Sequence, residues 1–133
     1  MLCDQTLDEA LAIQRRMYAA LTEVAELTDE LSQAVDRRDS VSVRMFLSMR
    51  QEEIDRLVGH KAALRRQCAQ LPPGDRALLL QLLKGERDGT LNSPSAQALE
   101  RQSQNTRSLL ERVCRADQAV SRRFGGPNSF YAK

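Results

Sequence analysis

The sequence predicts an all-α protein, an elongated antiparallel bundle of three long helices and one short helix. Apolar residues recur at intervals of three and four along three long stretches, which is the spacing of one face of a helix. Aromatic residues make up only 4% of the chain and tryptophan is absent, so the core must consist of Leu, Val, Ile, Met and Ala, which favours helices over sheets. At 133 residues the chain is large enough for one modest core. We therefore expect a single domain over residues 1–133.

The first helix is predicted over about residues 4–37. Thr6 and Glu9 have the spacing of a capping box, which marks a helix start, and apolar residues then follow at helical spacing. The polar segment 36–40 interrupts the pattern. Because this connection is so short, the second helix must fold back antiparallel against the first.

The second helix is predicted over about residues 40–71, with Asp39 or Ser40 as its N-cap and Pro72 ending it. Its stripe is unbroken and consists of Val43, Leu47, Arg50, Ile54, Leu57, Lys61, Leu64, Cys68 and Leu71. A stripe of this length has to lie along other helices of similar length, because the helix cannot cover it alone.

Two cations, Arg50 and Lys61, lie within that stripe. The simpler interpretation is that their alkyl stems cover the stripe while the charges reach water. The alternative is that they pair with acidic residues of the first helix, such as Glu23 or Glu26, and fix the register of the two helices.

A short, leucine-rich helix is predicted over about residues 75–84, with Asp75 as its cap and Gly85 at its end. The last long helix is predicted over about residues 94–124, because Ser93 and Pro94 are a strong start signal. Two registers fit it: Leu99, Ser103, Thr106, Leu110, Val113, Asp117, Val120 and Phe124, or Gln102, Thr106, Leu109, Val113, Ala116 and Val120. Both are weak before Leu109, where the chain is almost wholly polar. Two glycines follow, and we expect the tail 125–133 to be mobile.

Charge and cysteine content narrow the classes of function. The net charge is +2, with an acidic first helix and a basic remainder, which favours neither a strong nucleic-acid binder nor an acidic disordered chain. The three cysteines are odd in number and far apart, so no disulfide framework is indicated. No segment reaches the roughly 20 apolar residues of a membrane span. We expect a cytoplasmic protein.

The sequence offers no catalytic constellation. His60 is the only histidine, which excludes a histidine triad or a histidine-rich metal site. Glu52, Glu53 and Asp55 cluster, but flanking arginines make them typical of a solvated helix face. We therefore expect no enzymatic activity, no metal and no cofactor.

One succession of features points to a family. A long first helix is followed by the polar pair Arg38 and Asp39, then by an apolar stripe with an embedded arginine, a leucine-rich segment and a long last helix that ends at glycines. The stripe runs through Val41 to Leu47, Arg50, Ile54 and Leu57. Over most of the chain this architecture resembles the FlgN-like family, cytosolic export chaperones of bacterial flagellar type III secretion.

The resemblance implies a chaperone that keeps hook-associated proteins of the filament junction soluble before export and docks at the flagellar export gate. By position, gate docking would fall on Tyr131 and cargo binding on the last helix. The implied cargo-binding residues are Leu99, Thr106, Leu109, Leu110, Val113, Val120 and Phe124. Physically, an elongated helical protein can cover the apolar stripe of an amphipathic client by laying it into a groove between helices.

Two alternatives remain open at this stage. The first is a structural coiled-coil adaptor or a self-associating bundle without an export role, for which a homodimer would be expected. The second is a nucleic-acid-binding helical module, based on the arginines of the second and last helices. Interleaved aromatics are absent there and the charge is nearly neutral, so a solvated surface or a protein contact is the better interpretation.

Overall fold

The computed structural model describes residues 2–86 and 93–123, which form four helices. Helix α1 spans Asp4–Asp36, α2 spans Ser40–Ala69, α3 spans Pro73–Leu83 and α4 spans Pro94–Arg123. The described ranges contain no strand, so the all-α bundle of three long helices and one short helix is confirmed. Phe124 and the predicted mobile tail 125–133 lie outside the described residues.

Helix α1 is the central element of the bundle. Helices α2 and α4 both pack along it, whereas α3 packs against the ends of α4 and α2. Three buried clusters follow α1 from its start to its end, and they contain Leu7 with Leu99, Leu21 with Leu109, and Leu31 with Val120. Because these pairs ascend together in sequence, α4 runs parallel to α1 and antiparallel to α2.

The turn between α1 and α2 satisfies the free backbone groups of both helices. Arg38 adopts a left-handed conformation with φ 56°, its N–H donates to the Val35 carbonyl at 3.0 Å, and the Asp39 N–H donates to the Ala34 carbonyl at 3.0 Å. The Asp39 carboxylate then accepts from the Ser42 N–H at 3.1 Å and from the Ser42 hydroxyl at 2.6 Å. The prediction of Asp39 as an N-cap is confirmed.

The end of α2 differs from the prediction, since the helix stops at Ala69 rather than at residue 71. The Arg76 guanidinium donates to the carbonyl oxygens of Cys68, Ala69 and Leu71 at 3.2, 3.2 and 3.1 Å. Pro72 and Pro73 have no N–H to donate to the carbonyls of Cys68 and Ala69, so a side chain from α3 donates to them instead.

The predicted start of α1 at about residue 4 is confirmed, whereas the start of α3 and the capping box of α1 differ from the prediction. Helix α3 begins at Pro73, two residues before Asp75, because a proline at the first helical position is already set in a helical φ. Helix α1 begins at Asp4 with Cys3 as its N-cap and no side-chain cap hydrogen bond, so Thr6 and Glu9 do not form a capping box. At the other termini, Ser93 caps α4 through the Ala96 N–H at 3.1 Å, as predicted.

Candidate functional site

A groove of about 680 Å³ lies between α2, α3 and α4, with α1 as its floor. Its lining residues are Gln14, Met17 and Leu21 on α1, Leu57, Val58, Lys61, Leu64, Arg65, Cys68 and Ala69 on α2, Arg76, Leu80 and Leu83 on α3, and Ser103, Thr106, Arg107 and Leu110 on α4. Along α2 it extends for roughly 18 Å at 1.5 Å per residue, which is about three helical turns. The lining surface is mostly apolar, and we refer to it below as the groove.

The groove exists because α1 is shared by two long helices. Helices α2 and α4 both use α1 as their packing partner, and α3 lines the space between them without closing it. Further along, the guanidinium of Arg50 on α2 pairs with the carboxylate of Asp117 on α4. The groove lies between this ion pair and α3.

Arg50 has a partner that the sequence analysis did not consider. Its side chain is only 11% exposed, and its partner Asp117 lies on α4 and not on α1. Lys61, the other cation of the α2 stripe, is exposed at the groove. The two cations therefore act differently: Arg50 ties α2 to α4, and Lys61 stays in water.

Three large apolar side chains of the groove are exposed to solvent. Val58 of α2 is 60% exposed, Leu80 of α3 is 42% exposed and Leu110 of α4 is 44% exposed. They come from three different helices and converge on one concavity. A contiguous apolar surface of this kind is typical of an interaction site.

The floor of the groove is partly polar. Gln14 is 4% exposed, and within the described part of the chain its Oε1 has no hydrogen-bond partner. Ser103 and Thr106 also line the floor, but their hydroxyls donate to the carbonyls one turn earlier, Leu99 at 2.8 Å and Gln102 at 2.9 Å. The polar character of the floor is therefore concentrated at Gln14.

The edges of the groove are basic. Four cationic side chains line it, namely Lys61, Arg65, Arg76 and Arg107. Among the described residues that line the groove, none is Asp or Glu. The groove thus combines an apolar wall with a positively charged edge.

The cysteines have different environments. Cys68 is buried at the groove, and burial raises the pKa of its thiol, so the thiol is a weak nucleophile at neutral pH. Cys3 is exposed at the start of α1, and the hydrogen bond with the Thr6 hydroxyl lowers the pKa of its thiol. Of these two thiols, Cys3 is therefore the more reactive.

The predicted cargo-binding residues divide into two groups. Four of them are buried against α1 and its neighbours, namely Leu99, Leu109, Val113 and Val120. Thr106 and Leu110 line the groove, and of these only Leu110 is exposed. Phe124 and Tyr131 lie outside the described residues. The structure therefore brings two of the seven implied cargo residues to the groove.

Sequence analysis missed the contributions of α2 and α3 to this site. Val58 follows the stripe residue Leu57 directly, and Leu80 lies in the run of leucines of α3. Both are apolar residues outside the face that packs into the core. Apolar residues at such positions were the one feature of the sequence that could have indicated this site.

Other candidate chemistry is not assembled in the part of the chain that the structure describes. There, no group of three or more His, Cys, Asp or Glu side chains is placed to hold a metal ion. Glu53, whose side chain is 15% exposed, pairs with Arg56, and the exposed Asp55 accepts from Gln51 at 2.9 Å, so both carboxylates have partners on their own helix. None of the four helices has the length and apolarity needed to cross a membrane.

Comparison with known proteins gives no match. No family model, no curated protein and no solved structure matches this chain. The groove and the sequence pattern are therefore the grounds on which a function can be assigned.

Proposed function

We propose that this chain is a non-enzymatic binding protein that holds an amphipathic helical segment of a partner protein in the groove. The observation that carries the proposal is an open, mostly apolar slot between helices that extends along roughly three turns of α2. Laying the apolar face of a helix into such a slot is a recurrent mode of peptide recognition. The elongated shape favours a helix over a small compact ligand.

Within this class, we propose a cytoplasmic export chaperone of flagellar type III secretion, whose clients are the hook-filament junction proteins. The resemblance of the sequence to the FlgN-like family supports this role, and the groove offers a way to shield a client before assembly. Docking of Tyr131 at the export gate and a contribution of Phe124 to cargo binding are further parts of the proposal.

The energetics of the exposed apolar residues support a bound helix. Burying a leucine side chain fully contributes about 1.5–3 kcal/mol, so Leu80 and Leu110 are a source of binding free energy that the isolated chain leaves unused. A client helix gains in the same way, because its own apolar stripe leaves water. The contact between the groove and the client helix therefore removes apolar surface of both proteins from water.

The test is a calorimetric titration of the purified chain with a hook-filament junction protein. Leu110→Asp and Leu80→Asp should each weaken binding at least about tenfold, since an apolar contact is lost and a charge is placed in the groove. Met45→Asp and Met49→Asp are matched controls, because these α2 residues are 50% and 42% exposed and do not line the groove. They should bind like the wild type.

A second readout uses Val58→Cys in a chain carrying Cys3→Ser and Cys114→Ser, in which the remaining native thiol, Cys68, is buried. A bound client should slow the reaction of this new thiol with a maleimide, because position 58 is 60% exposed and lines the groove. Full binding by Leu110→Asp and Leu80→Asp, or an unchanged labelling rate at position 58, would contradict the proposal.

The self-associating alternative makes a different prediction. If a second copy occupies the groove, sedimentation of the chain alone will show a dimer that Leu110→Asp converts to a monomer. In that case the junction protein will not displace the second copy from the groove.

A further inference from the structure

The charges around the groove indicate which charged residues a bound helix would carry in addition to its apolar stripe. Lys61 and Arg65 lie on the α2 side and Arg107 lies on the α4 side, with Arg76 on α3. All four are exposed, and no described residue that lines the groove is acidic. Cations on both sides of a low-dielectric wall produce a positive potential along the slot.

The acidic residues do not line the groove. Glu23 is exposed on α1 and follows Gln14 by nine residues, or about two and a half turns, so it lies on the opposite side of the helix from the groove. Glu111 follows Arg107 by four residues on α4 and lowers the positive potential near that cation, whereas Lys61 and Arg65 have no acidic residue three or four positions away on α2.

A nucleic acid is not the occupant that these surfaces favour. Val58, Leu80 and Leu110 form the exposed wall between the cations, and a phosphate backbone gains nothing by covering apolar side chains. A helix with an apolar stripe and acidic flanks matches both features at once, in the way that flanking charges select partners in coiled coils.

We propose that the groove is specific for an acidic amphipathic helix, whose apolar stripe faces the floor and whose Asp and Glu residues lie on both flanks against the α2 and α4 cations. This inference rests on the proposed function, because it names the chemistry of the helix that the groove binds. Opposite charges on the flanks give specificity and faster association more than raw affinity.

The experiment uses three synthetic helical peptides of about 18 residues, long enough to be helical, with the same leucine stripe and with Glu, Gln or Lys on both flanks. Binding to the full chain is measured by fluorescence anisotropy. We expect the Glu peptide to bind about tenfold more tightly than the Gln peptide, with the Lys peptide weakest. This order should flatten between about 0.01 M and 1 M salt, where the Debye length falls from roughly 30 to 3 Å.

Charge-reversed variants assign the effect to the groove. The double variant Lys61→Glu with Arg107→Glu leaves two cations and two anions at the groove, so the three peptides should bind about equally well. The matched control Arg44→Glu with Arg112→Glu changes the total charge equally at exposed positions that do not line the groove, and it should keep the wild-type order.

The outcomes separate this inference from the function on which it rests. If the Glu and Gln peptides bind equally well and Leu110→Asp abolishes both, the charge specificity is overturned and the helix-binding groove stands. If no peptide binds, both are overturned. Tighter binding of a short DNA or RNA duplex than of the Glu peptide would also overturn the inference.

Discussion

The ion pair between Arg50 and Asp117 connects α2 to α4 beside the groove, and its contribution to stability can be measured. The Arg50 side chain is 11% exposed and the Asp117 side chain 39% exposed. Asp117→Ala would leave a mostly buried guanidinium without this carboxylate. Arg50→Met keeps the alkyl stem and removes the charge, so the two single variants and the double variant form a thermodynamic cycle.

The expected coupling free energy follows from these exposures. Hydrogen bonds to charged groups contribute about 1.5–3 kcal/mol, and the partial exposure of Asp117 places this pair near the lower end, about 1.5 kcal/mol. Unfolding entropy of about 2.1 cal/mol/K per residue gives roughly 0.28 kcal/mol/K for this chain, so 1.5 kcal/mol corresponds to about 5 °C in Tm.

The assay is urea and thermal unfolding followed by circular dichroism at each corner of the cycle. Arg123 and Asp36 form the control pair, because they also connect two helices, α4 and α1, and their side chains are 35% and 67% exposed. Their coupling should stay within about 0.5 kcal/mol. A coupling between Arg50 and Asp117 no larger than that of the control pair would refute the reasoning.

Three other predictions concern stability. Gly85→Ala should lower the free energy of unfolding by about 1–2 kcal/mol, because Gly85 has φ 75° and a Cβ would lie 2.7 Å from Cγ of Gln104; an unchanged urea midpoint would contradict this. Gln14→Met should raise that free energy by about 1 kcal/mol, since it removes the buried Oε1 that has no partner, and a fall would show that the amide is satisfied. Asp39→Ala should lower Tm at neutral pH, because it removes the cap of α2. The hydrogen bonds from Ser42 hold the pKa of Asp39 below its usual value, so this stabilisation is present above the unfolded-state pKa and is lost as pH falls through the folded-state pKa. A difference in Tm that does not shrink in acid would contradict that account.

The sequence predicts most of the fold because helical periodicity and helix-end residues are local signals. Asp39, Ser93 and Gly85 act through backbone groups within a few residues of themselves, so their roles can be read from spacing alone. Pro72 likewise indicates the end of α2 to within two residues. The hydrogen bonds that complete this end come from Arg76, a side chain of the next helix that no local pattern identifies.

The polar stretch of α4 shows why the core was only partly predictable. Ser103 and Thr106 are buried, and their hydroxyls donate to carbonyls of the preceding turn, which satisfies them without a partner from another helix. A hydropathy pattern counts Ser and Thr as polar and therefore predicts that both residues lie at the surface. Neither of the two registers that fit α4 gives the buried set alone. The buried residues Leu99 and Ser103 belong to the first register, and the buried residue Leu109 belongs to the second.

The candidate site was the least predictable part, because it depends on how helices are spaced. Leu80 and Val58 line the same groove only because α2 and α4 both pack on α1 and α3 leaves the space between them open. No pattern within a single helix contains that information. The sequence contains more apolar residues than the core buries, but the predicted cargo-binding residues were all on α4.

The burial of α4 distinguishes two ways in which a client could be held. If the client bound the stripe that contains Leu109, Val113 and Val120, α4 would first have to leave α1. Losing the burial of four such side chains, Leu99 included, costs roughly 6–12 kcal/mol, which is comparable with the whole stability of a domain. Binding in the groove needs no such opening.

Asp117→Ala tests this difference, because it weakens the attachment of α4 and raises the fraction of molecules in which α4 is released. A client that needs the released state binds with an apparent Kd inversely proportional to that fraction, so a destabilisation of about 1.4 kcal/mol would tighten binding about tenfold. A client held in the groove should bind Asp117→Ala within about twofold of the wild type, since neither Leu80 nor Leu110 depends on release. Calorimetry with the same junction protein measures both cases, and a tenfold gain in affinity would place the client on the buried stripe of α4 and not in the groove.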